Sequence, residues 1–151
     1  MTAVEIDQRL ANRLQQTVAE HGAQPGSLHV INDDAMRVTQ LPGEPTKLIA
    51  NLPYNVSVPV FLTFLERFPS ITSGVIMVQS EVAERLAAKP GTEAYGVPSA
   101  KAAWWCDVVL ADSVSRSVFW PIPNVDSSLV KFVDRKSTRL NSSHTVISYA
   151  V

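Results

Sequence analysis

Apolar residues along the 151-residue chain fall into short runs parted by polar turns. The spacing within those runs alternates between the period of a strand and that of a helix. Ala3, Val4 and Ile6 predict a first strand over 3–7 that ends among the acids Glu5 and Asp7. Leu10, Leu14 and Val18 share one side of a helix predicted over 8–21. Pro25-Gly26 marks a turn, and a second strand is predicted over 28–31, closed by Asn32-Asp33-Asp34. A third strand is expected over 47–50. After it, Val60, Phe61, Phe64 and Leu65 repeat at helical spacing, with Pro59 near the helix start. A fourth strand over 74–78 runs on to a helix over 80–88, with Ser80 as its expected cap. A further helix over 98–105 and strands over 108–111, 114–119 and 127–133 complete the pattern. The early order, strand and helix in alternation, predicts an α/β sheet with parallel strands. The last strands lack long helical connections, so an antiparallel hairpin is expected at the edge.

Composition narrows the class only modestly. The chain is 46% hydrophobic and 18% charged, as in an ordinary globular domain with a sizeable core. A net charge of −1 argues against clamping nucleic acid by charge alone, though it leaves room for a local basic patch or a basic partner domain. Cys106 is the one cysteine, so no internal disulfide can form, which suits the cytoplasm. The three histidines are scattered, and no metal site is expected. No segment has transmembrane length and no signal peptide is apparent, so no membrane role is expected.

The candidate chemistry gathers at strand ends, where open α/β sheets place their ligands. Asn51-Leu52-Pro53-Tyr54 follows the third strand. The exocyclic amino group of adenine is a poor nucleophile, because its lone pair is delocalised into the ring. Acceptors for its hydrogens favour a tetrahedral nitrogen with a localised lone pair. Asn51 offers a side-chain carbonyl, and the Leu52 carbonyl is a second acceptor. Pro53 fixes its own φ and biases Leu52 towards extended backbone, which holds that carbonyl still. Tyr54 supplies a face for a base, a contact worth roughly 1–3 kcal/mol. The plainer reading is an ordinary turn after a strand. Glu5 and Asp34 close the first two strands. A carboxylate at Glu5 can accept both hydroxyls of a ribose. One at Asp34 can accept from an adenine amino group while the amide of Ala35 or Met36 meets the ring. The plainer reading of both acids is a solvated cap.

These pieces together resemble the ribosomal RNA small-subunit adenine N6-dimethyltransferase family over residues 4–133. Val4-Glu5-Ile6-Asp7 resembles its ribose-binding motif, Asp33-Asp34-Ala35-Met36 its adenine-binding motif, and Asn51-Leu52-Pro53-Tyr54-Asn55 its catalytic motif. The block at 79–86 with Ala94-Tyr95-Gly96, and Phe119-Trp120-Pro121-Ile122-Pro123-Asn124-Val125-Asp126-Ser127, are similar to two further and more specific family blocks. The resemblance implies a Rossmann-like class I sheet that uses S-adenosylmethionine. It implies dimethylation of two adjacent adenines of small-subunit rRNA during assembly of the pre-30S subunit, by an enzyme that is a cytoplasmic monomer. The site residues implied are Asn51, Leu52, Pro53, Tyr54 and Phe119 for catalysis, and Glu5, Ile6, Asp34, Ala35 and Asn51 for the cofactor. Phe119 would cover the side of the base opposite Tyr54, its alternative being a plain core aromatic. Pro121 and Pro123 would stiffen the loop. Trp104 and Trp105 read as core, Cys106 as a small buried residue, and Arg85, Lys89 and Lys101 as solvated or phosphate-facing cations.

The chain departs from the family pattern in two places. None of its six glycines are spaced as Gly-x-Gly, so the family's first strand and Gly-rich loop have no counterpart. That strand belongs between the first and third strands read here, and its loss leaves a gap or forces a new pairing. Residues 136–151 continue nothing before them and read as a non-native, adapter-derived or disordered tail. The expected organisation is a partial methyltransferase domain over 1–135 followed by that tail, with the short chain inactive by itself. Two alternatives remain open: a non-catalytic RNA-binding module of ribosome assembly, or a methyltransferase acting on a large-subunit rRNA adenine.

Overall fold

The computed structural model describes residues 1–135. Residues 136–151, and with them the expected tail, lie outside the described residues. The elements in order are β1 (Thr2–Val4), α1 (Gln8–Glu20), β2 (His29–Ile31), β3 (Lys47–Asn51), α2 (Ser57–Arg67), β4 (Ser73–Gln79), α3 (Ser80–Ala87), α4 (Val97–Trp105), β5 (Cys106–Val114) and β6 (Ser127–Asp134). The architecture is the expected Rossmann-like α/β class. Strands β1 and β2 pair in parallel, as do β3 and β4, and β5 with β6 forms the antiparallel pair predicted for the end of the chain.

The sheet is in two pieces. One contains β1 and β2 only, and the other has the order β3-β4-β6-β5. Of the two outcomes expected, a gap or a new pairing, the structure has the gap: β3 hydrogen-bonds to β4 alone and is an edge. Ile49, at the middle of that edge strand, is 83% exposed.

The core lies on the larger piece. Phe61, Phe64 and Leu65 of α2, Ala83 and Leu86 of α3, and Ala102 of α4 pack with Ile76, Val78, Val130 and Phe132 of the sheet. The helical spacing that predicts α2 is therefore the spacing of its buried face. Phe61 and Phe132 meet edge to face, with ring centroids 5.0 Å apart. Gly74 sits opposite Phe132 in the β4–β6 register. A methyl group there would meet the Leu48 carbonyl at 2.0 Å and the Phe132 ring at 2.6 Å, so only glycine allows this approach.

Three readings from the sequence need correction. Ser80 does not cap α3. It is the first helical residue, β4 runs straight into the helix, and the Ser80 hydroxyl bonds the Ser128 hydroxyl at 2.9 Å. No strand forms over 114–119. β5 ends at Val114, and one 3-10 turn, Arg116–Val118, follows. There the Arg116 amide donates to Asp126 Oδ1 (3.0 Å) and the Ser117 amide to the Ser115 hydroxyl (3.3 Å), so side chains satisfy donors that a ladder would use. Trp104 is half exposed on α4, whereas Trp105 packs against the core as expected. Cys106 is fully buried, its thiol donating to the Ala102 carbonyl.

Candidate functional site

The third strand delivers the first component of the site. β3 pairs with β4 through Asn51, opposite Met77, and the Leu52 amide donates to the Met77 carbonyl at 3.1 Å. The ladder thus holds the backbone up to the turn. The Pro53 carbonyl then accepts from the Val56 amide (3.2 Å) and the chain enters α2. Leu52 is buried beneath the turn, while Asn51 and Pro53 are exposed. Neither the Asn51 side chain nor the Leu52 carbonyl is engaged by a hydrogen bond among the described residues, so both acceptors are open.

Phe119 comes from 65 positions beyond Tyr54 and reaches the same place. Asn51, Leu52, Pro53, Tyr54, Phe119, Trp120, Pro121 and Pro123 line one open cleft of about 430 Å³. All five residues expected to do the chemistry therefore line the same cleft. Phe119 is half-buried, not a core aromatic, and Trp120 beside it is 93% exposed. The loop that carries them is braced from below: besides the Arg116 amide bond to Asp126, the Arg116 guanidinium donates to the Asn124 carbonyl at 3.3 Å.

The cofactor candidates gather elsewhere, at the carboxyl ends of β1 and β2. Val4 pairs with Ile31, and the Glu5 amide donates to the Ile31 carbonyl at 3.0 Å. Asn32 then bonds the Glu5 and Ile6 carbonyls (2.8 and 3.2 Å), tying the two strand ends together. The two acids of the first motif separate in role. Asp7 caps α1, accepting from the amides of Arg9 (2.8 Å) and Leu10 (3.4 Å). The Arg9 side chain beside it holds the Asp7 carboxyl below the usual carboxylate range. Glu5 uses Oε1 for the Asp7 amide at 2.8 Å, which leaves Oε2 for a ligand. Ile6 lies beside it, 68% exposed.

Asp34 makes a local turn in which Oδ1 accepts from the Met36 amide at 2.8 Å. Of the two amides expected to meet a ring, Met36 is therefore committed and Ala35 remains. Arg67 of α2 donates to the carbonyls of Met36 (3.0 Å) and Val38 (2.7 Å), fastening this loop to the larger piece of the fold. Glu5, Ile6, Asp34 and Ala35 are absent from the lining of the Asn51–Phe119 cleft. Asn51, expected at both places, is in the cleft.

Sequence reading missed a set of hydroxyl contacts. Tyr54 Oη and Ser127 Oγ lie 2.8 Å apart, and the Ser80 amide donates to the Asp126 carbonyl at 3.0 Å. Ser99, buried at the start of α4, accepts from the Gly96 amide at 3.0 Å and donates to the Arg85 carbonyl. Apart from Gly96 and Ser99, which stand at capping-box spacing, these partners are far apart in the chain, and no spacing rule would pair them. Only the presence of Ser127 and Gly96 inside recognisable blocks drew attention to the segments. Among the described residues, no cluster of three His, Cys, Asp or Glu side chains could hold a metal, and no helix is long and apolar enough to cross a membrane.

A parallel α/β sheet with an antiparallel end, acids closing its first strands and an Asn-Leu-Pro-Tyr turn after the third, defines a Rossmann-like class I methyltransferase fold. The structure is similar to a dimethyladenosine transferase from Plasmodium falciparum, with a TM-score of 0.80 and 29% identity over 92% of this chain and 49% of that one. It is similar also to the 23S rRNA methyltransferase ErmE, with a TM-score of 0.73 and 25% identity over 89% of this chain and 52% of that one. Residues 1–149 match the model of the family described as Ribosomal RNA adenine dimethylase, and the chain belongs to that family. Among curated relatives, the ribosomal RNA small subunit methyltransferase A of Thermobifida fusca is 59% identical over 132 residues, which are 86% of this chain and 46% of that protein. The chain spans about half the length of the curated relatives it matches.

Proposed function

We propose that the chain is part of an rRNA adenine N6-dimethyltransferase that acts on two adjacent adenines of small-subunit rRNA during pre-30S assembly. The protein would work as a monomer in the cytoplasm. The observation that carries this reading is the single cleft formed by Asn51–Tyr54 with Phe119. Its open acceptors and aromatic lining suit a base taken out of its stack. The Asn51 side-chain carbonyl and the Leu52 carbonyl would accept the two amino hydrogens and so localise the nitrogen lone pair. Tyr54 and Phe119 cover the base faces, and an aromatic surface tolerates the positive charge that the nitrogen gains on methylation. The nitrogen proton becomes acidic after transfer, so no strong base is needed.

S-adenosylmethionine, when bound, supplies an electrophilic methyl group on a sulfonium. The residues present fit its adenosine half. Glu5 Oε2 is open to ribose hydroxyls, and Asp34 and the Ala35 amide suit an adenine edge. Ile6 offers an exposed apolar side chain beside them. No Gly-x-Gly cradle for the amino-acid half exists in this sequence. Cofactor binding by this chain is therefore expected to be weak and its turnover low, and residues 1–135 are read as a partial catalytic domain.

The test is transfer of labelled methyl from S-adenosylmethionine to deproteinised or subunit-assembled rRNA by the longer parent protein of which this chain is read as part. Label on adenines of small-subunit RNA is the expected result. Label confined to large-subunit RNA would assign the other target, a reading favoured by the likeness to ErmE. Binding of RNA without any transfer would favour the non-catalytic module.

A further inference from the structure

Tyr54 is only part-buried, yet its ring must hold a fixed position if a base is to slot against it. Nothing in the Asn51–Tyr54 turn fixes that position. Pro53 restrains the backbone, but the Tyr54 side chain still has two free torsions. Ser127 supplies the missing restraint. Its side chain is fully buried, and its hydroxyl lies 2.8 Å from Tyr54 Oη, across 73 positions of sequence. Ser127 is itself immobilised. It begins β6 and pairs with Gln79 on one side and Val114 on the other. Its neighbours anchor the segment further, Ser128 through the Ser80 hydroxyl (2.9 Å) and Asp126 through its carbonyl to the Ser80 amide (3.0 Å). Asp126 also holds the Arg116 amide at the base of the Phe119 loop. One rigid segment therefore fixes the tip of Tyr54 and the root of the Phe119 loop together.

We propose that Ser127 is a positioning residue that fixes where the Tyr54 ring sits by holding its hydroxyl tip, and with it the gap between Tyr54 and the Phe119 loop, for capture of a base. The inference rests on the adenine-methylation reading for what enters the gap, but the ring restraint itself can be tested without any ligand. A buried serine could otherwise serve stability alone. In that case its loss would lower the melting temperature and leave the ring's motion as it was.

The test uses the full chain with uniformly labelled tyrosine, the Tyr54 signal being identified by its loss in Tyr54→Phe. Averaging over Tyr54 χ1 rotamers is measured by NMR three-bond couplings in the wild type and in Ser127→Ala, and binding of an adenine-containing single-stranded RNA by fluorescence polarisation in both. The population of other χ1 rotamers is expected to rise about fivefold in Ser127→Ala, the factor for one lost hydrogen bond. RNA affinity is expected to fall by up to a similar factor. Unchanged ring motion in a folded Ser127→Ala overturns the inference even if RNA binds well. More χ1 averaging in Ser127→Ala with no RNA binding in the wild type supports Ser127 as the restraint and sinks the base-capture reading. Should Ser127→Ala fail to fold, Tyr54→Phe removes the same bond from the exposed partner, and ring motion at position 54 is followed with labelled phenylalanine. More χ1 averaging there supports the inference, and unchanged averaging overturns it.

Discussion

The two candidate half-sites are built on very different foundations. The base-facing half stands on a four-stranded sheet covered by α2, α3 and α4, with Phe61, Ile76, Val78, Val130 and Phe132 fully buried beneath it. The adenosine-facing half stands on two three-residue strands and one helix that buries only Ala11. Both halves present the right groups at strand ends, so the difference lies in how firmly those groups are held. Burial of apolar surface is roughly 25 cal/mol per Å², and the larger piece has most of it. The smaller piece leans on local caps, the Asn32 bridge and the Arg67 fastening. Candidate groups can thus be present at both places and be unevenly held.

The sharpest way to break this comparison is to remove the foundation of the stronger half. Phe132→Ala should cost about 3–5 kcal/mol and unfold the base-facing half in a urea titration. Leu28→Ala, in the smaller piece, is expected nearer the low end of the range for such truncations, about 2 kcal/mol. Equal losses would mean that the two pieces unfold as one unit. Next in size, Asn51→Ala should lower methyl transfer about 100-fold or more, by analogy with loss of one hydrogen-bonding group at a reacting centre. Its melting temperature and adenosine affinity should stay near wild type, because the side chain is exposed and unengaged. A collapse of folding would instead make Asn51 a structural residue.

Arg67→Ala tests the link between the halves. It frees the carbonyls of Met36 and Val38, so the Asp34 loop should loosen and adenosine affinity fall about tenfold, as for a lost charge-assisted hydrogen bond. Hydrogen exchange should report faster opening at residues 34–38 and no change in β6. Protection unchanged at that loop would show that packing, not Arg67, holds it.

The smallest effect concerns the far edge of the stronger half. Arg135 donates through Nε to Asp107 Oδ1 at 2.7 Å, and its Nη2 reaches the same oxygen. The guanidinium hydrogen bond holds the Asp107 carboxyl below the usual carboxylate range. A depressed carboxylate contributes stability that is present above the unfolded pKa, about 3.9, and is lost as pH falls through the folded value. Both side chains are well exposed, so solvent screening limits the effect to under about 1 kcal/mol. Asp107→Asn should therefore lower thermal stability slightly at pH 7, with the gap to wild type closing in strong acid. A gap that persists below pH 2 would assign the loss to packing.

Much of this was legible in the chain itself. Helical spacing at Val60, Phe61, Phe64 and Leu65 predicts α2, and strand-length apolar runs predict β3, β4 and β6, because burial on one or both faces dictates those periods. The Asn51–Tyr54 turn, the two acids and the Phe119 block could be read because each is local in sequence. The same locality explains the errors. Ser80 looks like a cap by position, and 114–119 looks like a strand by composition. In each case a partner dozens of residues away, or one across a loop, took the hydrogen bond.

What the sequence alone determined is which groups exist and which end of which element they occupy, since those follow from period, turn chemistry and spacing. Tertiary structure decided which acid stays open, Glu5 and not Asp7. It decided which amide is committed, Met36 and not Ala35. It also brought Tyr54, Phe119 and Ser127 together. Hydrogen bonds between distant residues form only after strands pair and helices pack, and no pattern along the chain encodes a distance between groups 73 positions apart.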